Sequence, residues 1–182
     1  MHCSLLTAFA QRDYFTPEEV EMIRDAQQID QRVDLLVKLI DRRFAAMNID
    51  VGAGKVLSKD SEKWGTIAGE RSDYFFDIKR IMQKAIDDID NLSERPDSMV
   101  VDVPDPKDKD RAKKPPNFGD LFPKAVRNLA HAAARWKPPL ATALAASKDD
   151  RERGSILDSI DMCDEIIASV AKLPAEVKKA KH

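Results

Sequence analysis

Hydrophobic residues recur every three or four positions through most of the chain, a spacing that is typical of amphipathic α-helices. The first helix has a clear start, because Thr16 can cap a helix that begins at Pro17 and Glu19 can complete a capping box. This signal predicts a short helix over 17–27. The next run predicts a second helix with an apolar stripe made of Val33, Leu36, Ile40, Phe44 and Met47.

Three longer helical patterns follow a predicted loop over 48–59. The third helix should run from Asp60 or Ser61 to about Leu92, with an apolar stripe in near-heptad spacing. The fourth should begin near Pro123 and be kinked or broken at Pro138-Pro139. The last should cover 149–172, with a stripe made of Ile156, Ile160, Cys163, Ile167 and Val170. The pattern predicts an all-α fold, an antiparallel bundle of four to five helices.

The third and fourth helices are separated by a long connection over 94–117, which holds five prolines and a mixed-charge run. A basic tail follows at 174–182. We expect residues 11–182 to form a single helical domain that includes this connection and tail.

Charge and composition exclude several classes of protein. Although 34% of the 182 residues are charged, the net charge is only −2, which argues against a nucleic-acid-binding protein. No run approaches the ~20 apolar residues of a membrane span. The two cysteines, Cys3 and Cys163, are too few for a disulfide framework or a zinc site.

The first ten residues form an apolar segment that ends in Ala8-Phe9-Ala10, the small-x-small pattern of a signal-peptidase site. We therefore expect residues 1–10 to be the remnant of a signal peptide, with Gln11 as the first residue of the mature protein. This reading places the protein in the periplasm or outside the cell. The alternatives are a cytoplasmic location and an apolar N-terminus that packs on the bundle.

The sequence contains no complete catalytic or ligand-binding motif. Gly52-Ala53-Gly54-Lys55 lacks the earlier Gly and the following Ser or Thr of a phosphate-binding loop. Asp87-Asp88-Ile89-Asp90-Asn91 has Asn where the aspartate-rich motif of prenyl-chain enzymes needs Asp. We therefore predict no catalytic, cofactor-binding or metal-binding residue. His131 should face solvent, and Cys163 should lie in the core.

Arg71 is the one charged residue on a predicted apolar stripe. Its stem could pack while its head reaches solvent, or it could form an ion pair with an acid on a facing helix, or it could line an anion site. If the bundle holds a pocket between its helices, Arg71, Tyr74 and Trp136 are our candidates to line it.

The stretch from Thr16 to Phe44 resembles the opening of uncharacterised, often exported, helical bacterial proteins of unknown function. This resemblance implies export and carries over no activity and no functional residue. The expected function is a non-enzymatic, exported interaction protein that binds an unknown protein partner through a helix face or through the connection. Two alternatives stay open: a bundle that binds a small ligand, and a metal-dependent enzyme that uses Asp87, Asp90 and Asp161.

Overall fold

The computed structural model describes residues 13–53, 61–98 and 117–173, and this part of the chain is 81% helical with no strand. The all-α prediction is therefore confirmed. The predicted signal-peptide remnant, most of the connection over 94–117 and the basic tail lie outside the described residues. The described ranges contain five α-helices, which are α1 (Pro17–Asp25), α2 (Ile29–Ala46), α3 (Arg71–Glu94), α4 (Phe118–Ala146) and α5 (Asp150–Ser169).

Helices α2 to α5 form a four-helix bundle, and α1 packs against α2. Consecutive helices of the bundle run in opposite directions; for example, Arg153 bonds to the Leu144 carbonyl while Asp164, further along α5, pairs with Lys137, which lies earlier in α4. Helices α2 and α3 form one helical hairpin, and α4 and α5 form another. The two hairpins pack so that α2 lies beside α4 and α3 lies beside α5. We call the end at which α3 and α5 finish the lower end of the bundle.

The contacts between the hairpins join helices of the same direction. Lys124 pairs with Asp30 and Arg135 pairs with Asp41, both at a separation of 94 positions, so α2 and α4 are parallel. Between these four helices lies one continuous apolar core. Its largest fully buried hydrophobic side chains are Trp136, Phe44, Phe75, Leu36, Leu39, Ile40, Ile78, Ile81, Met82, Leu129 and Leu140.

Helix α1 starts as its sequence predicts. The Glu19 amide donates to Thr16 Oγ1 at 3.2 Å, and the Thr16 amide donates to Glu19 Oε2 at 3.0 Å, which completes the capping box. The hydroxyl of Thr16 also donates to the Trp64 carbonyl at 2.8 Å. The cap therefore joins α1 to the segment that precedes α3.

The predicted start of the third helix at Asp60 or Ser61 is wrong, because α3 begins at Arg71. Ser61–Trp64 is a separate 3₁₀ turn. Gly65 and Gly69, which have φ angles of 70° and 151°, interrupt the helical backbone between them. A side chain at Gly65 would also require the Glu18 carboxylate to move, because the added Cβ would come too close to it.

Helix α4 corrects two further boundary predictions. It begins at Phe118 rather than near Pro123, because Asn117 and Asp120 form a capping box ahead of the proline. It also continues through Pro138 and Pro139, so the predicted break does not occur. The prolines remove two backbone donors, but burial of Trp136 and Leu140 on either side holds this part of α4 against the core.

The apolar stripe of α5 is rotated relative to the prediction. Ile156 and Cys163 are buried as expected, but Ile167 is 37% exposed and Ile166 takes the core position instead. Ser159 is also fully buried, and its hydroxyl donates to the Ser155 carbonyl at 2.8 Å. Small polar residues can therefore face the core here, a pattern that apolar spacing alone does not reveal.

Candidate functional site

An apolar groove of about 380 Å³ opens between α3, α4 and α5 at the lower end of the bundle. It lies where α5 ends and the Val170–Lys172 turn begins, and its floor is formed by buried side chains of the core. We call it the lower groove. Its apolar walls are formed by Ile86, Ile89, Val126, Leu129, Ile166 and Ala168.

The polar residues of the lower groove lie at its rim. They are Asp90 on α3, Glu165 and Ser169 on α5, and Lys172 in the turn that follows. Asp90 and Glu165 are exposed, and neither carboxylate forms an ion pair with another of the described residues. The Ser169 hydroxyl donates to the Ile166 carbonyl at 2.7 Å. The rim therefore offers two carboxylates and one ammonium group around an apolar interior.

The described part of the chain does not bring the three candidate pocket residues, Arg71, Tyr74 and Trp136, together: Arg71 lines an open cavity beside Glu152, and Trp136 is fully buried. Arg71 pairs with Glu152 of α5, whose Oε1 lies 2.9 Å from Arg71 Nε. The Arg71 side chain is 45% exposed, while Glu152 is buried. Two of the expectations for Arg71 therefore hold together: its guanidinium group reaches solvent, and it forms an ion pair with an acid on a facing helix. Tyr74 is only partly buried, and its neighbour Phe75 takes the core position.

Trp136 is fully buried and has a structural hydrogen bond. Its Nε1 donates to Asp41 Oδ1 at 2.7 Å, while Arg135 donates to Asp41 Oδ2 at 2.8 Å. Arg135 also donates to the Val51 carbonyl at 2.7 Å, which ties the segment after α2 to α4. Trp136 is therefore part of the core and is not available to line a pocket.

A buried charge cluster that was not predicted from the sequence consists of Glu19, Arg42, Arg43 and Asp77. Arg42 Nη1 donates to Glu19 Oε1 at 2.7 Å, and Arg43 Nη2 donates to Glu19 Oε2 at 2.7 Å. Arg43 Nη1 also bonds to Glu19 Oε1, and its Nε lies 3.5 Å from Asp77 Oδ2. The one signal in the sequence is the pair of adjacent arginines within the apolar pattern of α2. Two cations and two anions leave the cluster neutral.

The acidic residues considered for a metal site do not converge. Asp87 and Asp161 are exposed, and Asp87 accepts a hydrogen bond from Gln83 on its own helix. Among the described residues, no group of three or more His, Cys, Asp or Glu side chains is placed to hold a metal ion. His131 is exposed on α4. The geometry of the described residues gives the metal-dependent alternative no support.

Cys163 is buried in the core, where its Sγ lies 3.9 Å from Met82 Sδ. Burial raises the pKa of the Cys163 thiol from 9.0 to about 12, and the negative charge of Asp164 adds to this rise. The thiolate is the reactive form of cysteine, so this side chain should be inert in the folded protein.

In a Cys3→Ser background, we expect iodoacetamide at pH 8 to alkylate Cys163 only as the protein unfolds. The raised pKa also favours the neutral thiol in the folded state. The contribution of the neutral Cys163 thiol to the free energy of unfolding is therefore complete below pH 9.0 and is lost as the pH rises towards about 12. Mass spectrometry of the native and urea-unfolded protein measures the alkylation, and rapid modification of native protein would contradict the buried thiol.

No protein-family model, curated protein or solved structure matches the chain. None of the helices in the described ranges has both the length and the apolarity that crossing a bilayer requires. The function must therefore be argued from the geometry of the chain itself.

Proposed function

We propose that this protein is a non-enzymatic binding protein that takes up a small amphipathic cation in the lower groove. The observation that carries the proposal is the combination of apolar walls with two carboxylates, Asp90 and Glu165, that form no ion pair within the described part of the chain. A ligand of this class has an aliphatic body and an ammonium or similar group at one end.

The size and lining of the lower groove suit such a ligand. Its volume of about 380 Å³ lies within the range of ~300–1,000 Å³ that is typical of small-molecule sites. Each methylene transferred from water onto the apolar walls contributes roughly 0.8 kcal/mol before the costs of binding are subtracted. The apolar walls therefore favour a hydrocarbon body.

The charge at the rim determines which head group is preferred. Asp90 and Glu165 place two negative charges beside the single positive charge of Lys172. Such a rim attracts a cation and repels an anion of the same length. The cationic group of the ligand does not have to be buried, because the carboxylates lie at the solvent edge of the groove.

Isothermal titration calorimetry can test this preference with a matched pair of probes, octyltrimethylammonium and octanoate, both below the concentrations at which they aggregate. We expect the cation to bind more tightly than the anion, and the difference to shrink as salt is added. Equal affinity for the two probes, or no binding of either, would refute the proposed ligand class.

A substitution at the edge of the groove provides a second test. Ala168 is exposed and lines the groove, so Ala168→Trp should block it without disturbing the core. Ala145→Trp is the matched control, because Ala145 is also an exposed helical alanine but does not line the lower groove. We expect octyltrimethylammonium binding to be lost in the first variant and retained in the second. Retention of binding in Ala168→Trp would mean that the cation binds elsewhere on the protein and would contradict the lower groove as its site.

Binding of a protein partner through a helix face stays a prediction. The large hydrophobic side chains that are exposed in the described part are Val20, Leu157 and Ile167. Val20 lies on α1, and the other two are separated by roughly 15 Å along α5. Single exposed hydrophobic residues are common on protein surfaces, so they favour no particular partner.

Export is part of the proposal and is supported by the small-x-small pattern of Ala8-Phe9-Ala10 and by the resemblance over Thr16 to Phe44. Fractionation of the native host cells, followed by N-terminal sequencing, tests it. We expect the protein outside the cytoplasm with Gln11 as its first residue; a cytoplasmic protein that retains residues 1–10 would contradict export.

A further inference from the structure

A second cavity, of about 440 Å³, lies at the lower end of the bundle between the end of α1, the start of α2 and the end of α3. Its lining differs in character from that of the lower groove, since three arginines, Arg24, Arg32 and Arg95, surround it together with the amide side chains of Gln27 and Asn91. We call it the arginine pocket. The two sites lie on opposite sides of α3, so they can be occupied independently.

The arginine pocket carries a surplus of positive charge. The carboxylate that lines it, Asp88, is already paired with Lys84, whose Nζ lies 2.8 Å from Asp88 Oδ1. Arg24 is partly neutralised by Glu21, with 2.6 Å between Arg24 Nη1 and Glu21 Oε2, but both side chains are more than 60% exposed. An exposed pair of this kind is weak and can be exchanged for another anion.

The other two guanidinium groups retain free donors. Arg32 is held by one bond, from its Nε to the Ala26 carbonyl at 2.8 Å, which leaves its terminal nitrogens without a partner among the described residues. The Arg95 side chain is exposed and forms no hydrogen bond within the described part of the chain. The start of α2 lies at the same cavity, and Gln28 provides no side-chain cap to its first turn.

We propose that the arginine pocket binds a phosphate monoester. Guanidinium groups recognise phosphate oxygens through paired, charge-assisted hydrogen bonds, and the amides of Gln27 and Asn91 can donate to the remaining oxygens. The volume of about 440 Å³ exceeds what an inorganic anion needs, so the group esterified to the phosphate also has room in the pocket.

The phosphate can come from a soluble metabolite or from a lipid head group, and two probes separate these sources. Phenyl phosphate is a soluble monoester, and phosphatidic acid in phosphatidylcholine vesicles carries the same group on a membrane. Binding of phenyl phosphate by calorimetry at low salt supports the proposal and assigns a soluble source. Binding to phosphatidic acid vesicles alone supports it and assigns a lipid source. Binding to neither overturns it.

Two variants test whether the pocket is responsible. Arg95→Gln removes an exposed charge, and Arg32→Gln removes a charge that also holds the junction between α1 and α2. We expect each to weaken binding of the responsive probe roughly tenfold. Arg151→Gln is the control, because Arg151 is an exposed arginine at the start of α5 and does not line the pocket. Equal weakening in all three variants would mean a non-specific attraction and would overturn the proposal.

This test is independent of the lower groove. Ala168→Trp blocks the groove and should leave phosphate binding unchanged, since the arginine pocket lies on the other side of α3. Failure of the unmodified protein to bind octyltrimethylammonium would therefore refute the proposed function and leave the arginine pocket standing. Failure to bind both phenyl phosphate and phosphatidic acid would overturn the arginine pocket alone.

Discussion

Replacing Glu19 by alanine is expected to reduce the free energy of unfolding by about 3–5 kcal/mol. Glu19 is fully buried and is the shared partner of Arg42 and Arg43. Without it, Arg43 stays buried with Asp77 as its remaining anionic partner, and the first turn of α1 loses its capping bond. Removing one member of a buried ion pair is costly because the charge left behind has been taken out of water.

Urea denaturation followed by circular dichroism measures this loss. Glu21→Ala is the matched control, because Glu21 lies on the same helix but pairs with Arg24 at the surface. We expect the control to change stability by less than roughly 0.5 kcal/mol. If Glu19→Ala changes stability no more than Glu21→Ala does, the buried cluster does not hold α1 to the bundle.

Replacing Trp136 by alanine should cost about 3–5 kcal/mol, since it removes the largest side chain of the core. Trp136→Phe separates packing from hydrogen bonding. It keeps an aromatic ring in the core but removes the donor to Asp41 Oδ1, so we expect a smaller loss of about 1–3 kcal/mol. Thermal melts of both variants measure the two losses, and an Ala variant no less stable than the Phe variant would contradict a tightly packed Trp136.

Most of the helices could be predicted from signals that lie within each helix's own stretch of sequence. Thr16, Pro17 and Glu19 specify the start of α1 through local hydrogen bonds, and the structure contains the capping box that they predict. The apolar stripe of α2 was equally clear, because Val33, Leu36, Ile40 and Phe44 are all buried, while Met47, its last predicted member, follows the end of the helix and is partly buried. Local backbone chemistry and 3.6-residue periodicity are properties of the sequence alone, so they can be read without knowing the fold.

The wrong predictions of helix starts and buried faces fall where helix packing or glycine residues override the apolar spacing. The near-heptad spacing continued through Gly65 and Gly69, whose positive φ angles end the helical backbone there. In α5, the phase of the buried face depends on how it meets α3 and α4, and Ser159 faces the core in place of a hydrophobic residue. Spacing between apolar residues cannot separate two stripes that differ by one position.

The candidate sites could not be predicted from the sequence, for a related reason. The lower groove combines residues from three helices and the arginine pocket does the same, while Arg71, Tyr74 and Trp136 were chosen from single-helix patterns. The side-chain bonds of Glu19 to Arg42 and Arg43 span 23 and 24 positions, and the pair of adjacent arginines is their one local signal. Such sites exist only after the helices are packed.

The most direct test of the proposed function is a ¹H–¹⁵N NMR titration with octyltrimethylammonium. The proposal predicts that saturable shift changes concentrate on the residues of the lower groove, from Ile86 to Asp90 on α3, around Leu129 on α4, and from Glu165 to Ser169 on α5. The same titration of Ala168→Trp should produce none of these changes. Shifts spread evenly over the exposed helix faces, or no saturable shift at all, would contradict the account.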